Sequence, residues 1–206
     1  MSRFFSVAGY LAAAVLIVLG VAVTVVGLVG RGYVQDQLAR EAIVGTPDMT
    51  PAKIEPAIKE AGLQGVSAPS CSVAGENVDT GKEAKCFADY MRIHTLTATG
   101  GKTYAQMPQY ATADGKGTND PAQAAKGPDG SPQSNAARNI WVTETALTTA
   151  LYTSYFGENV ALFAIVVGIA LLLVGIGFAV LIAFARRTAP AAAAATEPPP
   201  DTAVAT

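Results

Sequence analysis

Charge is scarce in this 206-residue sequence. Lys, Arg, Asp and Glu together make up 15% of it, where a soluble domain carries about 25%. The scarcity is concentrated in two places. No charged residue occurs between Arg3 and Arg31, and none between Glu158 and Arg186, two gaps of 27 residues each. A hydrocarbon core of about 30 Å takes roughly 20 helical residues to cross. Each gap is therefore long enough to span a bilayer with some tilt or an interfacial end. Histidine is missing from both gaps as well. Ion carriers and proton relays place ionisable groups at that depth, so a transporter or pump acting alone is not expected.

Histidine occurs once, as His94, and cysteine twice, as Cys71 and Cys86. Metal centres and histidine-based triads need companions of suitable type and spacing, so neither a metal site nor a cofactor site is expected. His94 is read as a packed or interfacial side chain on the face of Phe87. The cysteines form no Cys-x-x-Cys and have no adjacent basic cluster to depress a thiol pKa, which argues against a redox-active pair. An even pair in an otherwise cysteine-free segment fits a structural disulfide in an oxidising compartment. It would close a loop of about 15 residues, worth roughly 3 kcal/mol. Gly100–Gly101–Lys102–Thr103 lacks the upstream glycine of a phosphate-binding loop and reads as a turn. Residues 31–157 hold 11 basic against 13 acidic side chains. This balance, without a basic stripe, excludes nucleic acid as an expected partner. No internal repeat is present.

The first apolar block exceeds the 7–15 residues of a signal-peptide core and offers no Ala-x-Ala site near Val25–Val29, so it is read as a retained anchor. The cysteines lie too far from it for a lipoprotein. The second block would be a buried core helix only in a much larger protein. Two spans put both termini on one side. Arg3, Arg186 and Arg187 flank the spans there, against Arg31 and Arg40 opposite, a modest bias towards cytoplasmic termini. The expected organisation is a cytoplasmic N-terminus (1–6), a transmembrane helix (7–30), an extracytoplasmic helical domain (31–157), a second transmembrane helix (158–185) and a disordered cytoplasmic Ala/Pro-rich tail (186–206). Gly9 with Ala13, and Ala164 with Gly168, give small-xxx-small faces that permit close helix contact.

Within the central segment, Val34, Leu38 and Ala42 recur every four residues, predicting that the first helix continues to about Ile43 and ends at Gly45–Thr46–Pro47. A second helix is marked by Thr50 as its cap, Pro51 at its first position, and Ile54, Ala57, Ile58 and Ala61 on one face; Gly62 stops it. A third starts at Thr80, which forms a capping-box pattern with Glu83. It carries Phe87, Tyr90, Met91 and His94 on one face and ends at Gly100–Gly101. Tyr104–Tyr110 suggests one short turn. Residues 112–135 hold almost no large apolar side chain and read as a mobile loop. From Ala136 the pattern is helical again, with Ile140, Leu147 and Leu151 on a packed face. Tyr152, Tyr155 and Phe156 mark the outer membrane interface, with a bend expected at Gly157. Glu55 and Lys59 form a favourable i, i+4 pair. Glu144 has Arg138 and Arg31 as candidate partners but is read as lying on a solvated helix face.

Gly32–Leu38 (GYVQDQL), Val78–Met107 with its GGKTYAQM ending, and Glu144–Phe156 together resemble a family of actinobacterial membrane proteins with two spans and an extracytoplasmic loop domain. Some members carry the name aromatic ring-opening dioxygenase, which implies a non-haem iron enzyme. A two-histidine, one-carboxylate iron site cannot be built from His94 alone, so the name is not adopted as a mechanism. The expected fold is mostly α, with two transmembrane helices continuing into a small helical extracytoplasmic domain tied by Cys71–Cys86. The expected function is a non-enzymatic envelope accessory or interaction subunit in the plasma membrane. It would contact the lipid bilayer and another membrane or envelope protein through Phe87, Tyr90, Met91, His94 and Trp141. The alternative is a sensor or binder of a small envelope ligand, using the Phe87–His94 helix with the 112–135 loop as a lid, which a pocket lined by Tyr90, His94 and Trp141 would favour; an enzyme is a distant third.

Overall fold

A computed structural model describes residues 3–188. The expectations for residues 1–2 and for the tail from 189 onward lie outside the described residues. The elements are α1 (Arg3–Arg40), α2 (Pro51–Glu60), α3 (Gly81–Ala98), a 3-10 turn (Tyr104–Gln106) and α4 (Ala136–Thr188). No strand forms among the described residues; the extended segments meet only at isolated bridges such as Val44 with Asn77 and Gly45 with Ala74. α1 and α4 are both long and apolar enough to cross a membrane, and only 17% of each apolar window is buried. A core helix of a soluble protein would be mostly covered.

The chain forms two compact units. The first holds residues 3–25 and 165–188. Small residues let its two helical segments approach closely. A Cβ placed on Gly20 would lie 2.8 Å from the Gly168 carbonyl oxygen, and one on Gly168 would meet Thr24. Gly9 faces Ile182 in the same way, and Gly175 faces Ile17 and the Ala13 carbonyl. Gly9, Ala13 and Gly168, singled out by their spacing, thus lie on the contact, and Ala13 is almost fully buried. The outer faces present Leu11, Val18, Leu173 and Leu181 uncovered.

The second unit, Val26–Ala164, holds the last turns of α1, the first half of α4, and everything between. The local signals operate as expected. Thr50 accepts from the Lys53 amide at the start of α2, with Pro51 following. The Thr80–Glu83 capping box is complete at the start of α3, and Glu83 also accepts from the Asp79 amide. Gly62, Gly100 and Gly101 take the left-handed conformation that ends α2 and α3. Glu55 and Lys59 pair at 2.9 Å. α1 ends at Arg40 instead of running to Ile43. Ala42 adopts φ 48°, and Ile43 turns out of the helix so that its carbonyl accepts from the Val78 amide at 2.9 Å. α4 continues without a break through Gly157, where a Cβ would only touch Val34.

α3 is covered on two sides. Cys86, Tyr90 and Ile93 join Met49, Ile54, Ile58, Leu63 and Val73 in one apolar cluster. Ala84 and Ala88 join Leu38, Val78 and Leu151 in another, with Phe87 and Met91 packed against it. Cys71 and Cys86 are bonded, which ties the irregular segment before α3 to that helix. Residues 112–135 contain neither helix nor strand, yet their backbone is paired. Tyr110 and Thr118 exchange both bonds, Ala111 donates to Gln133, and Gln133 donates to Ala125. Asp114, Asp120 and Asp129 accept amides two residues ahead. Turn chemistry therefore satisfies the backbone where apolar burial was lacking, which the composition alone does not reveal.

Candidate functional site

The most apolar concavity of the second unit is a groove of about 620 Å³. Its floor is Leu38 from α1, Met49, and Leu151 from α4, all buried. Phe87, Met91 and His94 form one wall from α3, and Leu147 and Ala150 form the opposite rim on α4. Gln37 and Ser154 lie at the end nearer Arg31 and Glu158; Glu41 lies further out along α1. Met91 also lines a smaller recess with Ile140 and Thr143, so the apolar strip continues along α4.

His94 Nε2 sits 2.9 Å from Asp48 Oδ2, though not aligned as a hydrogen bond. The Thr46 hydroxyl, followed by a backbone amide and His94, holds the Asp48 carboxyl below its ordinary range, against the opposing effect of burial. Glu41 and Asp48 thus make this side of the groove acidic.

Of the five surface residues expected from the sequence, the groove gathers Phe87, Met91 and His94. Tyr90 and Trp141 belong to the interior instead. Tyr90 is fully buried, its hydroxyl donates to the Cys71 carbonyl at 2.7 Å, and burial pushes its pKa up. Trp141 is buried too; its indole N–H donates to the Lys102 carbonyl at 2.8 Å, tying α4 to the turn after α3. Tyr90 therefore locks the disulfide side and Trp141 locks the Gly100–Lys102 turn. The groove that His94 lines includes neither Tyr90 nor Trp141.

Glu144 also differs from expectation. It is buried, not solvated, and its nearest cation is Arg92 at 4.0 Å, whose guanidinium stacks 4.9 Å from the Trp141 ring centre. Arg138 lies over Tyr104 at 3.9 Å. Arg31 pairs with Glu158, Nε to Oε1, at 2.9 Å. Gln35 donates to the same carboxylate, and so does the Gly81 amide at the first turn of α3. This buried carboxylate joins α1, α3 and α4 at one point. Sequence reading passed over it; the available signal was that Arg31 and Glu158 are the first and last charges bounding the two apolar runs.

Among the described residues no three His, Cys, Asp or Glu side chains converge as metal ligands. The residues do not fit a ring-opening iron centre, because His94 has one carboxylate beside it and the sequence holds no second imidazole. No protein-family model, curated protein or solved structure matches the chain.

Proposed function

We propose that this chain is a non-catalytic two-span protein of the plasma membrane, with both termini cytoplasmic. It presents its 26–164 unit on the extracytoplasmic side as an accessory subunit for another membrane or envelope protein. Two helices of sufficient length and apolarity support the anchoring. The arginines beside the spans and the cysteine pair support the orientation, and the resemblance to actinobacterial two-span proteins points the same way. The observation that carries the partner reading is on α4 beyond its apolar run. Ile140 and Leu147, seven residues apart and so on one face, are 42% and 50% exposed. Apolar side chains gathered on one face away from lipid mark an interaction surface.

The test is a photo-crosslinking side chain at Ile140 in intact cells, followed by mild detergent extraction. The expected result is an adduct with a distinct membrane or envelope protein. A chain that elutes alone, without adducts, contradicts the partner reading. The second reading, a binder of a small apolar envelope ligand, is favoured by the groove between α1, α3 and α4.

A further inference from the structure

We propose that the recess between α3 and α4 beside Ile140 takes the ammonium of a lysine side chain from the partner protein, with Glu144 as its counter-ion. This rests on the accessory reading and deepens it by naming the chemistry that the partner presents. Two buried carboxylates of the 26–164 unit differ sharply in their partners. Glu158 accepts from Arg31, Gln35 and the Gly81 amide. Glu144 is just as buried, its side chain 4% exposed, yet its one hydrogen bond comes from the neighbouring Thr145 hydroxyl at 3.3 Å. The Arg92 guanidinium is stacked over Trp141 and stays 4.0 Å from the carboxylate, beyond hydrogen-bonding contact. A carboxylate accepts up to about four bonds, and a buried charge is costly unless it is paired. Most of the accepting capacity of Glu144 is therefore unused within the chain.

The surroundings of this carboxylate suit one kind of cation. Glu144 lines a recess of about 430 Å³ together with Met91 and Thr95 from α3 and Asn139, Ile140 and Thr143 from α4. No basic side chain lines it, Arg92 included. The side-chain oxygens of Thr95, Asn139 and Thr143 make no hydrogen bond of their own among the described residues. A lysine ammonium carries three donors on a compact charge at the end of an apolar stem. The stem fits against Met91 and Ile140, and the donors match the carboxylate and these oxygens. A guanidinium asks for both oxygens of a carboxylate, and here Oε2 already accepts from Thr145. Ile140 also joins the recess to the exposed apolar face that runs on to Leu147. The partner segment therefore seats a lysine beside apolar side chains.

The test uses the full chain in native membranes with a photo-crosslinking side chain at Leu147. That position lies outside the recess, so docking is read without filling it. Adducts are mapped by mass. The expected adduct lies in a partner segment that holds a lysine flanked by apolar residues, and its yield falls at least about five-fold in Glu144→Gln. Thr143→Lys, on the exposed rim, sets the chain's own ammonium at the recess and should lower the yield likewise, while Thr143→Gln, of similar bulk, should not. This second pair decides the matter if Glu144→Gln unfolds the unit. n-Butylammonium chloride should lower the yield more than sodium chloride at equal ionic strength. A folded Glu144→Gln captured at the wild-type yield overturns the proposal. So does a partner segment without lysine, or equal yields from Thr143→Lys and Thr143→Gln. Absence of protein adducts from both Ile140 and Leu147 in the otherwise unaltered chain contradicts the accessory reading itself, which separates the two failures.

Discussion

Glu158 shows how one side chain can organise a junction that no local pattern announces. Its carboxylate takes bonds from Arg31, Gln35 and the Gly81 amide, partners 77 to 127 positions away. The fit is tight, since a Cβ on Gly81 would come within 2.8 Å of the Tyr155 Cα. Glu158→Ala strands the buried Gly81 amide and should cost about 1–3 kcal/mol, while Gly81→Ala must push α3 off α4 at a similar cost of about 1–3 kcal/mol. Thermal unfolding in detergent measures both; an unchanged midpoint for either would contradict the junction. Tyr152 offers a pH signature. Burial, then its hydrogen bond to Asp89, pushes its pKa up to about 12. A raised folded pKa gives stability that is complete below the ordinary tyrosine value near 10 and lost as pH climbs towards 12. Tyr152→Phe should flatten that alkaline loss, and an identical alkaline limb in the variant would rule it out. At this scale the sequence told which residues share a face of α3, but not that both flanks of that face are covered. Tyr90 thus belongs to the core, whereas Met91 and His94 border the groove.

Among the elements, the signals that proved legible are those set by neighbours in sequence. The Thr50–Pro51 start, the Thr80–Glu83 box and the glycine stops depend on contacts within a few residues, so periodicity and capping chemistry identify them. The end of α1 did not follow, because Ile43 is claimed by a long-range bond to Val78. The paired backbone of residues 112–135 likewise depends on turns whose bonds close only when Tyr110 meets Thr118. The disulfide is the link between the irregular segment and α3. Replacing both cysteines by Ser should lower stability by about 3 kcal/mol, with Tyr90 losing its fixed Cys71 carbonyl; full stability in the reduced protein would refute the staple. In the apolar helices, Gly168→Leu should lower the unfolding temperature in detergent, since the Gly20 carbonyl and Thr24 occupy that space, while Gly177→Leu, which meets nothing within 4 Å, should not. Equal effects would dissociate close packing from the small residues.

For the whole molecule, two long apolar helices were visible in the charge pattern alone, because bilayer thickness imposes a length that sequence displays directly. Which polar groups close the junction, and where an apolar groove opens, depends on how helices meet, and composition is silent on that. The proposed account joins the two, with the 26–164 unit placed on the extracytoplasmic side of a pair of spans. Its central claim is the topology. Asn119, in the turn-rich segment, and Ala192, in the tail, are each replaced singly by Cys and treated in intact cells with a membrane-impermeant thiol reagent. The account predicts labelling at 119 from outside and labelling at 192 only after permeabilisation, with Cys71 and Cys86 protected in both. Labelling of 192 in intact cells with 119 protected would contradict it.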